Sequence, residues 1–105
     1  MDNDLAIQQV SKELDIITDE KDHRLMKQML INRINELLTT DFQKLVSILY
    51  RVDVSEAKLK LLLKENPGTD AGLIIAELMI ERQAQKIKSR QKHRRDPTNS
   101  DEEAW

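Results

Sequence analysis

The chain has 105 residues, the size of one domain, with 17 Lys and Arg set against 19 Asp and Glu. Two Gly, two Pro and no Cys exclude a turn-rich β-protein, a disulfide framework, thiol catalysis and any Cys-ligated zinc or iron–sulfur site. Fourteen Leu and ten Ile against one Phe, one Tyr and one Trp predict an aliphatic core of packed helices, and no apolar run approaches the ~20 residues that span a bilayer.

Five helices are expected in chain order. Over 4–17, Ala6, Ile7, Val10, Leu14 and Ile17 share one face at helical spacing, with acids opposite. Thr18 and Asp19 are candidate N-caps of a second helix running to about 38, with Asp22 favouring its dipole and Met26, Leu30, Ile34 and Leu37 as its inner stripe. Thr40-Asp41-Phe42-Gln43 has the pattern of a capping box. The third helix is expected to bury Phe42, Leu45, Val46, Leu49 and Val52. Asp53-Val54-Ser55-Glu56 offers a second box, with Ser55 as a rival cap. A short fourth helix turns Leu59, Leu62 and Leu63 inward and Lys60 and Lys64 outward. Asn66-Pro67-Gly68 stops it, and Thr69 or Asp70 recaps.

The fifth helix carries two apolar faces. Ala71, Ile74, Ile75 and Leu78 form one; Leu73, Ala76, Ile80, Ala84 and Ile87 form another, roughly opposite. A surface helix of a monomer needs one face. Either this helix is central and wrapped on both sides, or Leu73, Ala76, Ile80, Ala84 and Ile87 are a dimer seam whose near-heptad spacing continues to Ile87. The second reading predicts a homodimer.

Charge is distributed in blocks. Residues 1–22 hold seven acids and two bases, while 82–95 hold seven bases and no acid. Lys86, Lys88, Arg90, Lys92, Arg94 and Arg95 are candidate phosphate contacts. No aromatic interleaves them to stack on bases, and four acids follow. The alternatives are a solvated helix end complementing the helix dipole and pairing with the acidic first helix. Residues 96–105, with Pro97 and Trp105, have almost nothing to bury and are expected to be disordered. The same lack of apolar side chains in the basic stretch argues against a membrane-surface helix.

Motifs for catalysis are missing. His23 lies near Asp19, Glu20 and Asp22 without the i, i+4 pair of strong ligands that helical metal sites use, and His93 sits among cations. Carboxylate pairs such as Asp19/Asp22 and Asp53/Glu56 fall at helix starts, where capping explains them. Gly68 and Gly72 are too few for a phosphate loop. No enzyme, cofactor or metal is implied.

Asp41-Phe42-Gln43-Lys44-Leu45-Val46, Leu49-Tyr50-Arg51-Val52-Asp53-Val54 and Asp70 to Leu78 resemble a group of small all-helical bacterial proteins with no known activity. The likeness covers about half the chain, implies a bacterial, cytoplasmic origin and transfers no functional residue. Within it, Tyr50 falls off the main apolar face of the third helix and with Arg51 is a candidate for a partner-facing patch; the alternative is a Tyr at the core's rim with its hydroxyl in water. The sequence as a whole predicts an all-α bundle of about five helices with a long C-terminal helix over 1–88, followed by a basic extension and acidic tail over 89–105. The expected role is non-enzymatic protein–protein interaction with self-association; the alternative is a nucleic-acid-binding accessory protein using 82–95.

Overall fold

The computed structural model describes residues 2–95, with side chains over 4–90. Five helices follow one another: α1 (Asp2–Glu13), α2 (His23–Thr40), α3 (Phe42–Val52), α4 (Glu56–Glu65) and α5 (Ala71–Arg95). Among the described residues there is no strand. The protein is an all-α bundle with a long C-terminal helix.

Short polar side chains set the helix boundaries. Asp22, and neither Thr18 nor Asp19, caps α2, its carboxylate accepting from the Arg24 and Leu25 amides. Thr18 instead closes a small turn by accepting from the Glu20 amide at 3.0 Å. The box expected at Thr40 does not form. The Thr39 and Thr40 hydroxyls donate back to the Glu36 carbonyl, and Asp41 caps α3 by accepting from the Lys44 amide at 3.1 Å. Ser55 caps α4 and Asp70 caps α5, accepting from Lys58 and Leu73 respectively.

Asp53 does a different job from the one its sequence context implies. It lies at φ 71° and ends α3, its amide donating to Leu49 and Tyr50 while the Val54 amide also reaches Leu49. Asp15, at φ 60°, ends α1 the same way, with Asp15 and Ile16 amides donating to Lys12 and Ser11. These left-handed endings normally use Gly. An Asp in that position gives no glycine signal, which explains why α1 was expected to run on to Ile17. The chain turns away at Asp15, and Ile17 stands 99% exposed.

α5 is the axis of the core. It packs against all four other helices, most extensively against α1 and α2. Ile74, Ile75 and Leu78 are buried on one face; Ala76, Ile80 and Ile87 are buried on the other, with Leu73 and Ala84 half-buried. Ala6, Ile7 and Val10 of α1, with Leu14 just past its end, join Ala76, Met79, Ile80 and Ile87 in one cluster. Ala76, Ile80 and Ile87 of the expected dimer seam are therefore interior to a single chain, where α1 takes the place of a second subunit. A second copy would reach them only by displacing α1.

From α2 the expected stripe, Met26, Leu30, Ile34 and Leu37, enters the same cluster. α3 contributes Leu45, Ile48 and Val52. Phe42, expected inside, is 59% exposed at the first position of its helix. Gly72 is placed by packing: a Cβ there would lie 2.5 Å from Oδ1 of Asn35, whose amide donates to Asp70 at 2.9 Å. That contact holds the start of α5 against α2.

Ion pairs tie the helices at the surface. Glu13 and Asp15 at the end of α1 meet Arg51 and Lys44 of α3 at 2.6 and 2.9 Å. Lys27 of α2 pairs with Glu77 of α5, and Arg82 of α5 with Asp53 at 3.0 Å. So α1 does lie along α5, but through apolar contact, and its Glu13 and Asp15 turn to α3 instead of the basic stretch. α5 crosses the expected boundary at 88–89 without a break. The tail over 96–105, including Pro97 and Trp105, lies outside the described residues.

Candidate functional site: an apolar groove between α3 and α4

α3 places Phe42, Leu45, Val46, Leu49 and Tyr50 at i, i+3, i+4, i+7 and i+8, a continuous stripe along one side. Leu45 reaches the core, but the outer part of the stripe needs a second wall. α4 supplies it only in part. None of its residues is buried: Leu59, Leu62 and Leu63 are half-buried and Leu61 is 52% exposed. The helix is anchored by its two short connections and by Lys58, whose ammonium meets Glu81 of α5 at 2.7 Å.

The two helices leave a groove of about 300 Å³ between them. Leu38 at the end of α2 and Ala71 and Ile75 at the start of α5 form its floor, with Val46, Leu49, Leu59 and Leu63 along the sides. Its lining is almost wholly apolar. Phe42 and Tyr50, the latter 73% exposed, stand at its edges, and Glu56 and Lys60 of α4 complete the wall. A single methylene-scale gap is ordinary in a small protein, whereas an open apolar groove edged by two exposed aromatics has the anatomy of an interaction surface.

The partner-patch candidates Tyr50 and Arg51 separate in the structure. Tyr50 is at the groove. Arg51 points the other way, with Nε donating to Glu13 Oε1 at 2.6 Å and a terminal nitrogen donating to the Glu13 carbonyl at 3.4 Å. It closes the end of α1 and is a structural residue. The sequence held two hints of the groove that went unread: Phe42 at the first position of a helix, where it can pack on few neighbours, and leucines at 59, 61, 62 and 63, more than one narrow face of a ten-residue helix can bury.

Among the described residues the charged groups have no arrangement that suggests acid–base work. His23 Nε2 meets Asp4 Oδ1 at 3.0 Å, tying α2 to α1. Among the described residues, no three His, Cys, Asp or Glu side chains gather as metal ligands. Asp15, an exposed side chain, has its carboxyl held below the usual carboxylate range, first by the hydrogen bond from Lys44 and then by that ammonium's charge. The buried Ser11 hydroxyl donates to the Gln8 carbonyl at 2.7 Å. Every buried side-chain nitrogen and oxygen among the described residues has a partner.

Of the nucleic-acid candidates, Lys88 and Arg90 are exposed and Lys86 half-buried, and none of the three makes an ion pair among the described residues. Lys92, Arg94 and Arg95 lie on the helical backbone of α5, but their side chains, like that of His93, lie outside those described. Among the described residues no helix is long and apolar enough to cross a membrane. Comparison of the chain with known protein families, curated proteins and solved structures gives no match.

Proposed function

We propose that the protein is a non-enzymatic interaction module that self-associates through the α3–α4 groove. The observation that carries this reading is the groove itself: an apolar surface left open by a fold that buries both faces of α5.

A twofold interface requires a patch complementary to itself. This one carries both halves of such a contact. Phe42 and Tyr50 are projecting anchors, and the channel beside them is a receptor of matching character. Glu56 and Lys60, 68% and 75% exposed and only 3.9 Å apart, carry opposite charges that two copies can exchange across a dyad. A stable dimer buries roughly 800 Å² per partner, about a tenth of the 7365 Å² the chain exposes. The groove and its aromatic edges are the centre of such a patch, where binding energy concentrates.

Light scattering on a sizing column tests this. The wild type is expected to show a concentration-dependent dimer that persists at high salt, because apolar burial is not screened. Phe42→Glu/Tyr50→Glu alters two exposed side chains and is expected to give a folded monomer with an unchanged helical circular dichroism spectrum. A wild type monomeric at every concentration, or a dimer untouched by the double substitution, would overturn the reading.

A further inference from the structure

The end of α5 leaves the bundle's core. Ile87 is the last buried residue among the described side chains, and Lys88, Ser89 and Arg90, which at roughly 100° per residue point in three different directions, are all exposed. The helical backbone runs on from Lys88 to Arg95, about 12 Å at 1.5 Å per residue.

Its residues are sorted by row. Positions 86, 90 and 94 are Lys, Arg and Arg on one i, i+4, i+8 row; positions 88 and 92 are both Lys on a second. Between these rows, facing away from the side on which Ile87 is buried, lies an uncharged row of Gln85, Ser89 and His93. Two cationic rows thus flank a polar, hydrogen-bonding row on a helix whose described side chains beyond Ile87 are all exposed. The nearest preceding acid on the helix, Glu81, is already paired with Lys58.

We infer that this end of α5 is a duplex-DNA-binding helix. A helix with side chains is 10–12 Å across and the major groove of B-form DNA is about 12 Å wide, so a helix laid in the groove meets a phosphate strand on each side. The Lys86 row faces one strand and the Lys88 row the other, while Gln85 and Ser89 approach the base edges, where Gln and Ser are competent donors and acceptors. The narrow major groove of an A-form RNA duplex does not admit a helix in this way. A merely solvated helix end has no reason to keep its outward row free of charge while both flanks are cationic.

The test is fluorescence anisotropy of the full chain with a labelled 20-base-pair mixed-sequence DNA duplex between 50 and 200 mM salt. The five cations of the two rows, each meeting a phosphate, predict a log–log salt slope of about −4.5, a loss of about five-hundredfold in affinity across that range. Lys88→Glu/Arg90→Glu removes one cation from each row at exposed, unpaired positions. It is expected to weaken binding at 50 mM salt by about tenfold or more and to make the slope shallower by about two, with thermal stability unchanged. No binding at 50 mM salt would overturn the inference. So would binding unaffected by that pair of substitutions, or equal affinity for a double-stranded RNA of the same length. Phe42→Glu/Tyr50→Glu leaves the two rows intact, so its salt slope separates a failure of this inference from a failure of the groove.

Discussion

Two regions of the molecule are built from the same material and finish differently. Around α5, apolar stripes from α1 and α2 close on both faces, leaving Ala76 and Met79 with no exposure. Between α3 and α4 the stripes are as apolar, yet the helices stand apart, and Phe42, Tyr50 and Leu61 remain in water. An apolar stripe states only that something must cover it. Whether the cover comes from the same chain depends on the lengths of the connections and where helices end. α1 reaches α5 because a nine-residue connection from Leu14 to Asp22 allows it to fold back across the bundle. α4, held between a three-residue and a five-residue connection, has no freedom to close on α3.

The comparison breaks most visibly at the core. Ile80→Glu/Ile87→Glu places two charges in the α1–α5 contact, where burial of an unpaired charge costs several kcal/mol each. Since a domain of this size is stable by only ~5–15 kcal/mol, we expect this variant to lose its cooperative thermal transition. Were those residues a dimer seam, the same change would yield a well-folded monomer, so circular dichroism melting distinguishes the two accounts. Leu14→Ala, at a site with no exposure, is expected to cost about 2–5 kcal/mol in chemical denaturation.

The groove substitutions come next in size. Phe42→Glu/Tyr50→Glu is expected to shift folding stability by no more than ~0.5 kcal/mol per exposed site. Loss of a central anchor costs association ~2 kcal/mol, roughly thirtyfold in dissociation constant. Gly72→Ala sharpens the picture at the α2–α5 contact. Its Cβ displaces the Asn35 amide from Asp70, costing about 1 kcal/mol net of the helix-forming advantage of Ala. In an Asn35→Ala background the sign reverses, because the obstruction is gone. Denaturant melts of the four variants in the cycle measure the coupling.

The smallest effect is pH-dependent. The folded-state pKa of Asp15 lies below its unfolded value because of Lys44. The unfolded chain therefore binds the proton first as pH falls, so the pair's contribution is present above the ordinary carboxylate range and lost as pH drops through the depressed value. Lys44→Met removes that dependence. Its stability difference from wild type is expected to be greatest near neutrality and to shrink below about pH 4; a difference constant with pH would contradict the assignment.

Much of the fold was legible in the residues. The α2 stripe was read residue for residue, and the two faces of α5 were recognised as two. What could not be read was which partner each face has. The five apolar positions from Leu73 to Ile87 are spaced as a seam between subunits would be, and α1 satisfies the same spacing from within. Helix ends were misplaced where Asp did the work of Gly or Thr, with Asp15 in a left-handed terminal position and Asp22 and Asp41 as caps; α3 ends at Val52 as expected, but through a left-handed Asp53 that does not cap α4. The groove was hidden because Phe42, Val46 and Leu49 have the same periodicity whether a second wall closes over them or not. Ile48, fully inside, was missed for the related reason that the core-facing row of α3 is Leu45, Ile48 and Val52, while Val46 and Leu49 line the groove.

Amide hydrogen exchange at low and high protein concentration tests the central claim most directly. If the open groove is the association surface and α5 is interior to each chain, added protection at high concentration falls on residues 42–63, while 73–87 exchange slowly and equally at both. Concentration-dependent protection confined to 73–87, with 42–63 unchanged, would contradict the account and restore α5 as the seam.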